Sequence, residues 1–291
     1  MSSDRDSNIV PSEKQRLSRY SSDLIKRGLS LANQSQAVDG KSLQPPQAPN
    51  IQNEAEEFLR HGGEKFSIGD YQGAIEDYTQ VLLINPNNAS AYAMRGVARL
   101  NRGDNQGAIE DFTQELWLDP NESSAYYNRG VARLNRGDNQ GAIEDYTQAL
   151  LINPNFADAY RNRGTTRSNM GDNQGAIEDY TQALRLDPNF ADTYYNRGTT
   201  RFNMGNYQGA VADYTQALRI NPNYSNAYYN RGTARFNMGN YQDAIADYTQ
   251  VLKLDPNNID VYNRRISVRS ALGDYQGAME DLQKAADLEW N

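Results

Sequence analysis

The 291-residue sequence contains no cysteine and only one histidine, His61. The lack of cysteine excludes disulfide bonds and thiolate metal sites, and a single histidine cannot build a histidine-rich metal centre or fill several catalytic roles. The sequence therefore predicts no catalytic residue, no metal site and no cofactor. We interpret the chain as a protein that is not an enzyme.

Positive charge is also scarce, since 29 Lys and Arg stand against 37 Asp and Glu, for a net charge of -8. A nucleic-acid binder needs a basic surface to neutralise phosphates, so this balance argues against nucleic acid as a partner. No apolar run is long enough for a membrane span or for the core of a signal peptide. We expect a cytoplasmic protein without integral membrane association.

What the sequence does contain is a repeat with a period of 34 residues. The stretch RGVARLNRGDNQGAIED runs from Arg95 to Asp111 and occurs again, letter for letter, from Arg129 to Asp145. Self-similarity at this period indicates a solenoid, in which each unit buries its apolar face by stacking on the next. Seven units fit the chain, at residues 55–88, 89–122, 123–156, 157–190, 191–224, 225–258 and 259–291.

Each unit has the pattern of a helical hairpin. In the third unit, residues 123–135 predict a first helix, and residues 140–151 predict a second helix that Pro154 prevents from continuing. Between them, Gly137 supplies the left-handed conformation that often ends a helix, and Asp138 can cap the helix that follows. The predicted fold class is all-α.

The first 54 residues do not share this period and form a separate N-terminal segment. Apolar residues at helical spacing predict a short amphipathic helix over about 13–32, and residues 36–53, with three prolines, predict an extended linker. Three interpretations of this helix stay open. It can rest on the first repeat, bind a partner, or make peripheral contact with a membrane surface, for which its charges of both signs are unfavourable.

The repeat resembles the tetratricopeptide repeat family, and the resemblance covers residues 55–291. The family pattern has an aromatic residue at position 4, glycine at 8, alanine at 20, an aromatic at 24, alanine at 27 and proline at 32. In the third unit these are Tyr126, Gly130, Ala142, Tyr146, Ala149 and Pro154. The recurring sequence YNRG also resembles tetratricopeptide proteins of photosynthetic bacteria, which suggests a YNRG-type bacterial subtype.

This resemblance implies a right-handed superhelical solenoid that acts as a non-catalytic scaffold for protein–protein interaction. It also implies a concave groove, lined by the first helix of each hairpin, that binds an extended peptide or partner segment. Two alternatives are an assembly factor or chaperone for a membrane complex such as a photosystem, and the substrate-recognition subunit of an enzyme.

Carried over to this chain, the groove positions of the third to sixth units name a set of aromatic, amide and arginine residues. They are Tyr127, Asn128, Asn135, Arg161, Asn162, Asn169, Tyr195, Asn196, Phe202, Asn203, Tyr229, Asn230, Phe236 and Asn237. An asparagine recurs at position 6 of the third to sixth units, and its amide can offer a donor and an acceptor to a peptide backbone. The alternative is a row of solvated amides without a ligand.

The sequence departs from the family pattern at positions 7 and 11, where it has arginines such as Arg163 and Arg167 in place of leucine and tyrosine. These arginines lie four residues apart, and each second helix contributes an aspartate such as Asp179, so we predict a ladder of ion pairs between helices. An anion-binding row is the functional alternative. Glu115 stands where a small residue is expected and Ile266 where glycine is expected, which predicts less secure packing at both places.

Two further residues or surfaces suggest contacts with other molecules. Trp117 projects from a second helix, where it can anchor a partner or cover local apolar surface. The seventh unit has no solvating helix after it, so we expect weak homo-oligomers to form through its last face.

Overall fold

The computed structural model describes residues 51–289, and in this range it contains fourteen α-helices and no strand. The first helices of the hairpins are α1 (Ile51–Ser67), α3 (Ala89–Arg102), α5 (Ser123–Asn135), α7 (Ala157–Asn169), α9 (Ala191–Asn203), α11 (Ser225–Asn237) and α13 (Ile259–Leu272). The second helices are α2 (Tyr71–Ile84), α4 (Asn105–Leu118), α6 (Asn139–Ile152), α8 (Asn173–Leu186), α10 (Tyr207–Ile220), α12 (Tyr241–Leu254) and α14 (Tyr275–Glu289).

The helices form two compact units, which divide between Asn155 and Phe156. The first unit contains the hairpins α1–α2, α3–α4 and α5–α6, and the second contains the four hairpins from α7 to α14. Within each unit, the two helices of a hairpin pack on each other, and the second helix packs on the first helix of the next hairpin. This arrangement confirms the all-α class and the stacked helix-turn-helix repeat of a solenoid.

The turn inside each hairpin depends on glycine and a capping side chain. Gly137 has a φ of 82°, which is left-handed, and it is followed by Asp138, whose Oδ1 accepts a hydrogen bond from the Gly141 amide at 2.9 Å. An aspartate or asparagine caps the second helix in the same way in the other hairpins, with one exception. The side chain of Asn240 makes no cap hydrogen bond, although its position predicts one.

In the first six hairpins, the core contains an aromatic ring of the second helix that packs against a glycine of the first helix. A Cβ atom on Gly130 would lie 2.8 Å from Cε1 of Tyr146, so only glycine allows this ring to approach α5 so closely. Tyr146 and Ala142 are fully buried. The period of 34 residues repeats this contact, with Tyr180, Tyr214 and Tyr248 in the same position.

The first helix, α1, begins earlier than the sequence predicts. Helix α1 starts at Ile51, so the last three residues of the predicted linker belong to a helix. The predicted N-terminal helix and the rest of the linker lie outside the described residues. No helix within residues 51–289 combines the length and the apolar character that a membrane span needs.

Candidate functional site

Buried ion pairs join the two helices of the hairpins. Arg163 Nη2 donates to Asp179 Oδ1 at 2.7 Å and Arg163 Nε to Oδ2 at 3.0 Å, while Arg167 Nη1 donates to Oδ2 at 2.8 Å. Only 2% of Asp179 is exposed. The equivalent pairs are Arg95–Asp111, Arg129–Asp145, Arg197–Asp213, Arg231–Asp247 and Arg265–Asp281. The predicted ladder of ion pairs is confirmed.

The same arginines also connect neighbouring hairpins. Arg197 donates from Nη1 to the hydroxyl of Thr181 on α8 at 3.0 Å, and its guanidinium lies over the ring of Tyr194 at 5.6 Å. Comparable bonds run from Arg95 to Thr79 at 3.1 Å and from Arg129 to Thr113 at 3.2 Å. Because these guanidinium groups bond to the protein on several sides, they do not form a free anion-binding row.

In the second compact unit, polar contacts connect the first helices with one another. The hydroxyls of Ser168 and Thr200 lie 3.1 Å apart and join α7 to α9. Asn230 Nδ2 donates to the Tyr195 hydroxyl at 3.0 Å, joining α11 to α9. Arg264 Nε donates to the Tyr229 hydroxyl at 3.2 Å, joining α13 to α11. We call the surface formed by α7, α9, α11 and α13 the first-helix face.

Aromatic rings on this face are supported by other rings. Tyr195 lies 4.9 Å from Tyr224 and 5.8 Å from Tyr214 between ring centroids, and Tyr229 lies 5.8 Å from Tyr248. The Tyr195 and Tyr229 rings are half-buried, so each keeps an accessible part while its position is fixed. Phe202 and Phe236 are also half-buried, and they pack on Tyr207 and Tyr241 respectively.

The asparagines predicted for this face differ from one another in exposure. Asn162 is 6% exposed, Asn196 and Asn230 are half-buried, and the position-13 residues Asn169, Asn203 and Asn237 are exposed. Arg161 is half-buried and donates from Nη2 to Asp158 Oδ1 at 3.2 Å. The row of position-6 amides is therefore accessible at Asn196 and Asn230, and it is covered at Asn162.

The three residues predicted in the first compact unit also differ in exposure. Tyr127 and Asn128 on α5 are buried, whereas Asn135 is exposed and donates to Asn105 Oδ1 at 3.3 Å. Asn128 is only 1% exposed, and its amide has no hydrogen-bond partner among residues 51–289. A buried polar group without a partner costs about 1–3 kcal/mol, so Asn128 destabilises the fold in this state.

Glu115 is the other departure from the repeat pattern that the structure places inside. It is 4% exposed on α4, and its Oε2 has no hydrogen-bond partner within residues 51–289. Burial raises the pKa of the Glu115 carboxyl well above its usual value, and the nearby acids Glu122, Asp119 and Asp111 raise it further. The expected weakness at this position thus has a specific cause, which is a buried acid.

Sequence reasoning did not predict the contacts that connect the first helices. The bond between Tyr195 and Asn230 joins residues 35 positions apart, one more than the repeat period, and this offset could have been searched for. Tyr214 and Tyr224, which support the Tyr195 ring, were not predicted as part of the site. Burial raises the pKa of Tyr214 to about 12, which its hydrogen bond to Thr199 opposes.

Two predicted contact surfaces are exposed in the structure. Trp117 is 74% exposed, so most of its side chain is accessible to a partner. On α14, Tyr275 and Met279 are 70% and 64% exposed. Self-association through the seventh hairpin stays a prediction. Residues 51–289 contain no group of three or more side chains suited to holding a metal ion.

Family models recognise repeats along most of the described chain. A model described as tetratricopeptide repeat matches residues 123–156, 191–224 and 225–258. One described as TPR repeat matches residues 62–103 and 169–205, and a further tetratricopeptide repeat model matches residues 145–178. Together these matches cover more than half of the sequence. A comparison with curated proteins finds no match.

Solved structures with the same repeat architecture are numerous. The crystal structure of MamA is 31% identical, with a TM-score of 0.53, and the match covers 55% of this chain and 93% of MamA. YrrB, a TPR protein with an unusual peptide-binding site, is 18% identical with a TM-score of 0.59, covering 66% of this chain and 98% of YrrB. PilF of Pseudomonas aeruginosa is 16% identical with a TM-score of 0.63, covering 75% of this chain and 99% of PilF.

Proposed function

The chain belongs to the tetratricopeptide repeat family, and we propose that it is a non-catalytic scaffold that binds an extended peptide or partner segment along the first-helix face. The observation that carries this proposal is the pair of cross-repeat contacts, Tyr195 with Asn230 and Tyr229 with Arg264. They place a ring and a polar donor side by side on two successive hairpins.

The spacing of these pairs suits an extended chain. Packed helices lie about 8–10 Å apart, and an extended peptide rises about 3.3 Å per residue, so successive pairs would meet about every third ligand residue. Rings that are already fixed by neighbouring aromatics lose little conformational entropy on binding, which is why tyrosine is common at interaction sites. This arrangement supports recognition that tolerates many ligand sequences.

Backbone capture by amides is the second part of the proposal. Asn230 uses one of its two donor hydrogens for Tyr195, so the amide retains capacity for a peptide carbonyl or amide. Asn196 is half-buried one hairpin earlier, whereas Asn162 is covered and would need a local rearrangement to reach a ligand. We therefore assign the larger part of the capture to Asn196 and Asn230.

The test begins with a partner of the full chain, obtained by affinity purification and mass spectrometry, from which the bound peptide is mapped. Calorimetry then compares Tyr195→Ala combined with Tyr229→Ala, and Asn196→Ala combined with Asn230→Ala. We expect the tyrosine pair to weaken binding at least tenfold, and the asparagine pair to cost at least about 1 kcal/mol, a typical net value for lost hydrogen bonds.

Two controls make this test specific. Tyr275→Ala removes an exposed tyrosine outside the first-helix face, and affinity should not change. Tyr195→Phe keeps the ring and removes the hydroxyl, so it separates ring packing from the bond to Asn230. Unchanged affinity in both double variants, with native circular dichroism, would move the binding site away from this face.

Several finer expectations from sequence stay predictions. They include the YNRG-type bacterial subtype, a cytoplasmic location, and roles as an assembly factor for a membrane complex or as a substrate-recognition subunit. The peptide-binding site of YrrB belongs to a protein 18% identical, and that likeness carries the fold alone. An assembly role at a membrane predicts co-sedimentation with membranes that is lost on deleting residues 1–54.

A further inference from the structure

Three large apolar side chains are exposed in register along the first compact unit. Leu83, Trp117 and Leu151 are 70%, 74% and 69% exposed, and each occupies position 29 of its repeat, near the end of α2, α4 and α6. We call them the apolar row. Single exposed apolar residues are normal, but a repeated row of large ones marks a surface that another segment covers.

The fold itself does not require apolar residues at this position. The three following repeats have Arg185, Arg219 and Lys253 there, all exposed and all on equally regular helices. The contrast between apolar and basic residues at one repeat position points to a contact made by the first compact unit.

The members of the row are close enough to act as one surface. Arg95 bonds to Thr79 on α2 and to Asp111 on α4, so one guanidinium spans these second helices. Thr79 lies one helical turn before Leu83. Arg129 bridges Thr113 on α4 and Asp145 on α6 in the same way. Because a single guanidinium bridges each pair of successive second helices, we take their spacing as about 10 Å and the length of the apolar row as about 20 Å.

Acidic residues accompany the row. Glu76, Glu110 and Glu144 are exposed, and each lies seven residues before its row member. Seven residues are close to two helical turns, so the acid and the apolar residue share one face of the helix. A covering segment should therefore combine apolar and basic side chains. The fourth hairpin keeps the acid as Glu178 but has Arg185 in place of the apolar residue, and Ala212 and Ala246 replace the acid in the two hairpins after it.

We propose that residues 13–32 of the same chain dock along the apolar row. This segment contains apolar residues at helical spacing, and it has five Lys and Arg against two Asp and Glu in a chain that is acidic overall. A helix of this length measures about 30 Å, which is sufficient for a row of about 20 Å. The apolar residues are Leu17, Tyr20, Leu24, Ile25, Leu29 and Leu31.

The point at which the described chain begins favours this occupant. Phe58 and Leu59 of α1 pack on Val81 and Leu82 of α2, so the start of α1 lies at the end of the hairpin that carries Leu83. Eighteen residues separate Ala32 from Ile51, and a chain of that length reaches about 60 Å when fully extended, so it can bring residues 13–32 to the row. The segment is thus held near the row at an effective concentration of about 1 mM.

Tethering makes even a weak contact effective. A segment that binds the row with a Kd of about 0.1 mM in trans would be docked in about nine of ten molecules at that effective concentration. Docking would then cover the apolar row in the free protein. A partner would reach the row only by displacing residues 13–32.

Trp117 is the reporter for the first test, in the full chain with Trp290→Phe. Leu17→Asp combined with Leu24→Asp should release the segment, raise acrylamide quenching of Trp117 about two- to threefold and shift its emission to longer wavelength. The matched control, Gln15→Asp with Ser22→Asp, adds the same charge off the apolar stripe and should change neither signal. Equal quenching in all three proteins would overturn the proposal.

A second test uses the absence of cysteine. Ser21→Cys with Gln114→Cys on α4 should give an intramolecular product with a short bismaleimide, at least tenfold faster than Ser21→Cys with Gln182→Cys at the same repeat position on α8. Adding Leu83→Arg, Trp117→Arg and Leu151→Lys, residue types that later repeats already carry, should abolish the product while circular dichroism stays native.

The outcomes of the cross-linking test distinguish the possible occupants. Equal rates for the two cysteine pairs would show that the segment does not prefer the row. Products of twice the chain mass, with a yield that rises with protein concentration, would assign the row to a second copy and overturn docking within one chain.

Discussion

Removal of one buried aspartate provides the sharpest test of the ion-pair ladder. In Asp179→Ala, three hydrogen bonds to Arg163 and Arg167 are lost, and their donors remain. Arg163 is held over the Tyr160 ring at 5.6 Å and is 13% exposed, so it cannot easily reach water. Arg167 is 26% exposed and lies 3.6 Å from Asp172, which gives it another partner.

The expected cost follows from this asymmetry. Removing one partner of a buried ion pair typically costs about 3–5 kcal/mol, because the other charge stays buried and unpaired. Most of the penalty should fall on Arg163. With a urea dependence near the upper end for small proteins, about 3 kcal/mol per M, a loss of about 4 kcal/mol lowers the midpoint by a little over 1 M.

The assay is urea unfolding followed by circular dichroism and by tyrosine fluorescence, because repeat arrays can depart from two-state behaviour. Glu178→Ala is the matched control. It removes an exposed acid next to Asp179 that accepts a hydrogen bond from Gln174 at 3.0 Å, and it should cost no more than about 0.5 kcal/mol.

Two results would refute the reasoning. One is a midpoint for Asp179→Ala within error of that of Glu178→Ala, which would place the pair in a solvent-screened environment. The other concerns the double variant Arg163→Met with Asp179→Leu, in which the buried Arg163 is removed together with its partner and Arg167 keeps Asp172 as a partner. It should recover at least half of the loss, and a double variant no more stable than Asp179→Ala would show that packing, and not an uncompensated charge, is responsible.

Three further predictions concern single positions. Glu115→Ala, which adopts the residue type of the equivalent buried Ala149, should raise the free energy of unfolding by about 1–3 kcal/mol at neutral pH, because an unpaired buried group is removed. Because the folded state holds the Glu115 proton more tightly, the free energy of unfolding should fall as pH rises above about 4.5 in the wild type, and less steeply in the variant. The same pH dependence of the free energy of unfolding in both proteins, measured by urea unfolding, would contradict this. The raised pKa of Tyr214 contributes stability that is present below pH 10.0 and is lost as pH rises towards about 12. Tyr214→Phe should therefore make the thermal midpoint fall less steeply at alkaline pH. An unchanged fall would count against burial of this hydroxyl. Gly137→Ala should cost about 1–2 kcal/mol in urea unfolding because its φ is 82° and no atom lies close enough to clash, and a neutral effect would mean that the turn has another conformation.

The sequence alone determines the hairpins and most of their boundaries. For the third unit it predicts helices over 123–135 and 140–151, and the structure has α5 over Ser123–Asn135 and α6 over Asn139–Ile152. These boundaries follow from local chemistry. The left-handed glycine, the capping aspartate and the proline act on their own few residues and need no tertiary contact.

The ion-pair ladder is also readable from sequence, since the arginines and the aspartate recur in register on helices that the turn makes antiparallel. Its second role is not. The bond from Arg197 to Thr181 crosses to the preceding hairpin, and it depends on how closely consecutive hairpins stack. A period in the sequence fixes the order of the hairpins but not this distance.

Exposure at equivalent positions is what only the tertiary structure decides. Asn128, Asn162, Asn196 and Asn230 occupy the same position of their repeats, yet the first two are buried and the last two are half-buried. The preceding residue does not explain this difference, since a tyrosine precedes both the buried Asn128 and the half-buried Asn196 and Asn230. The covered area of a side chain is the sum of its contacts with all the residues packed on it. Local sequence can repeat a residue, but the neighbours that cover it come from other parts of the chain.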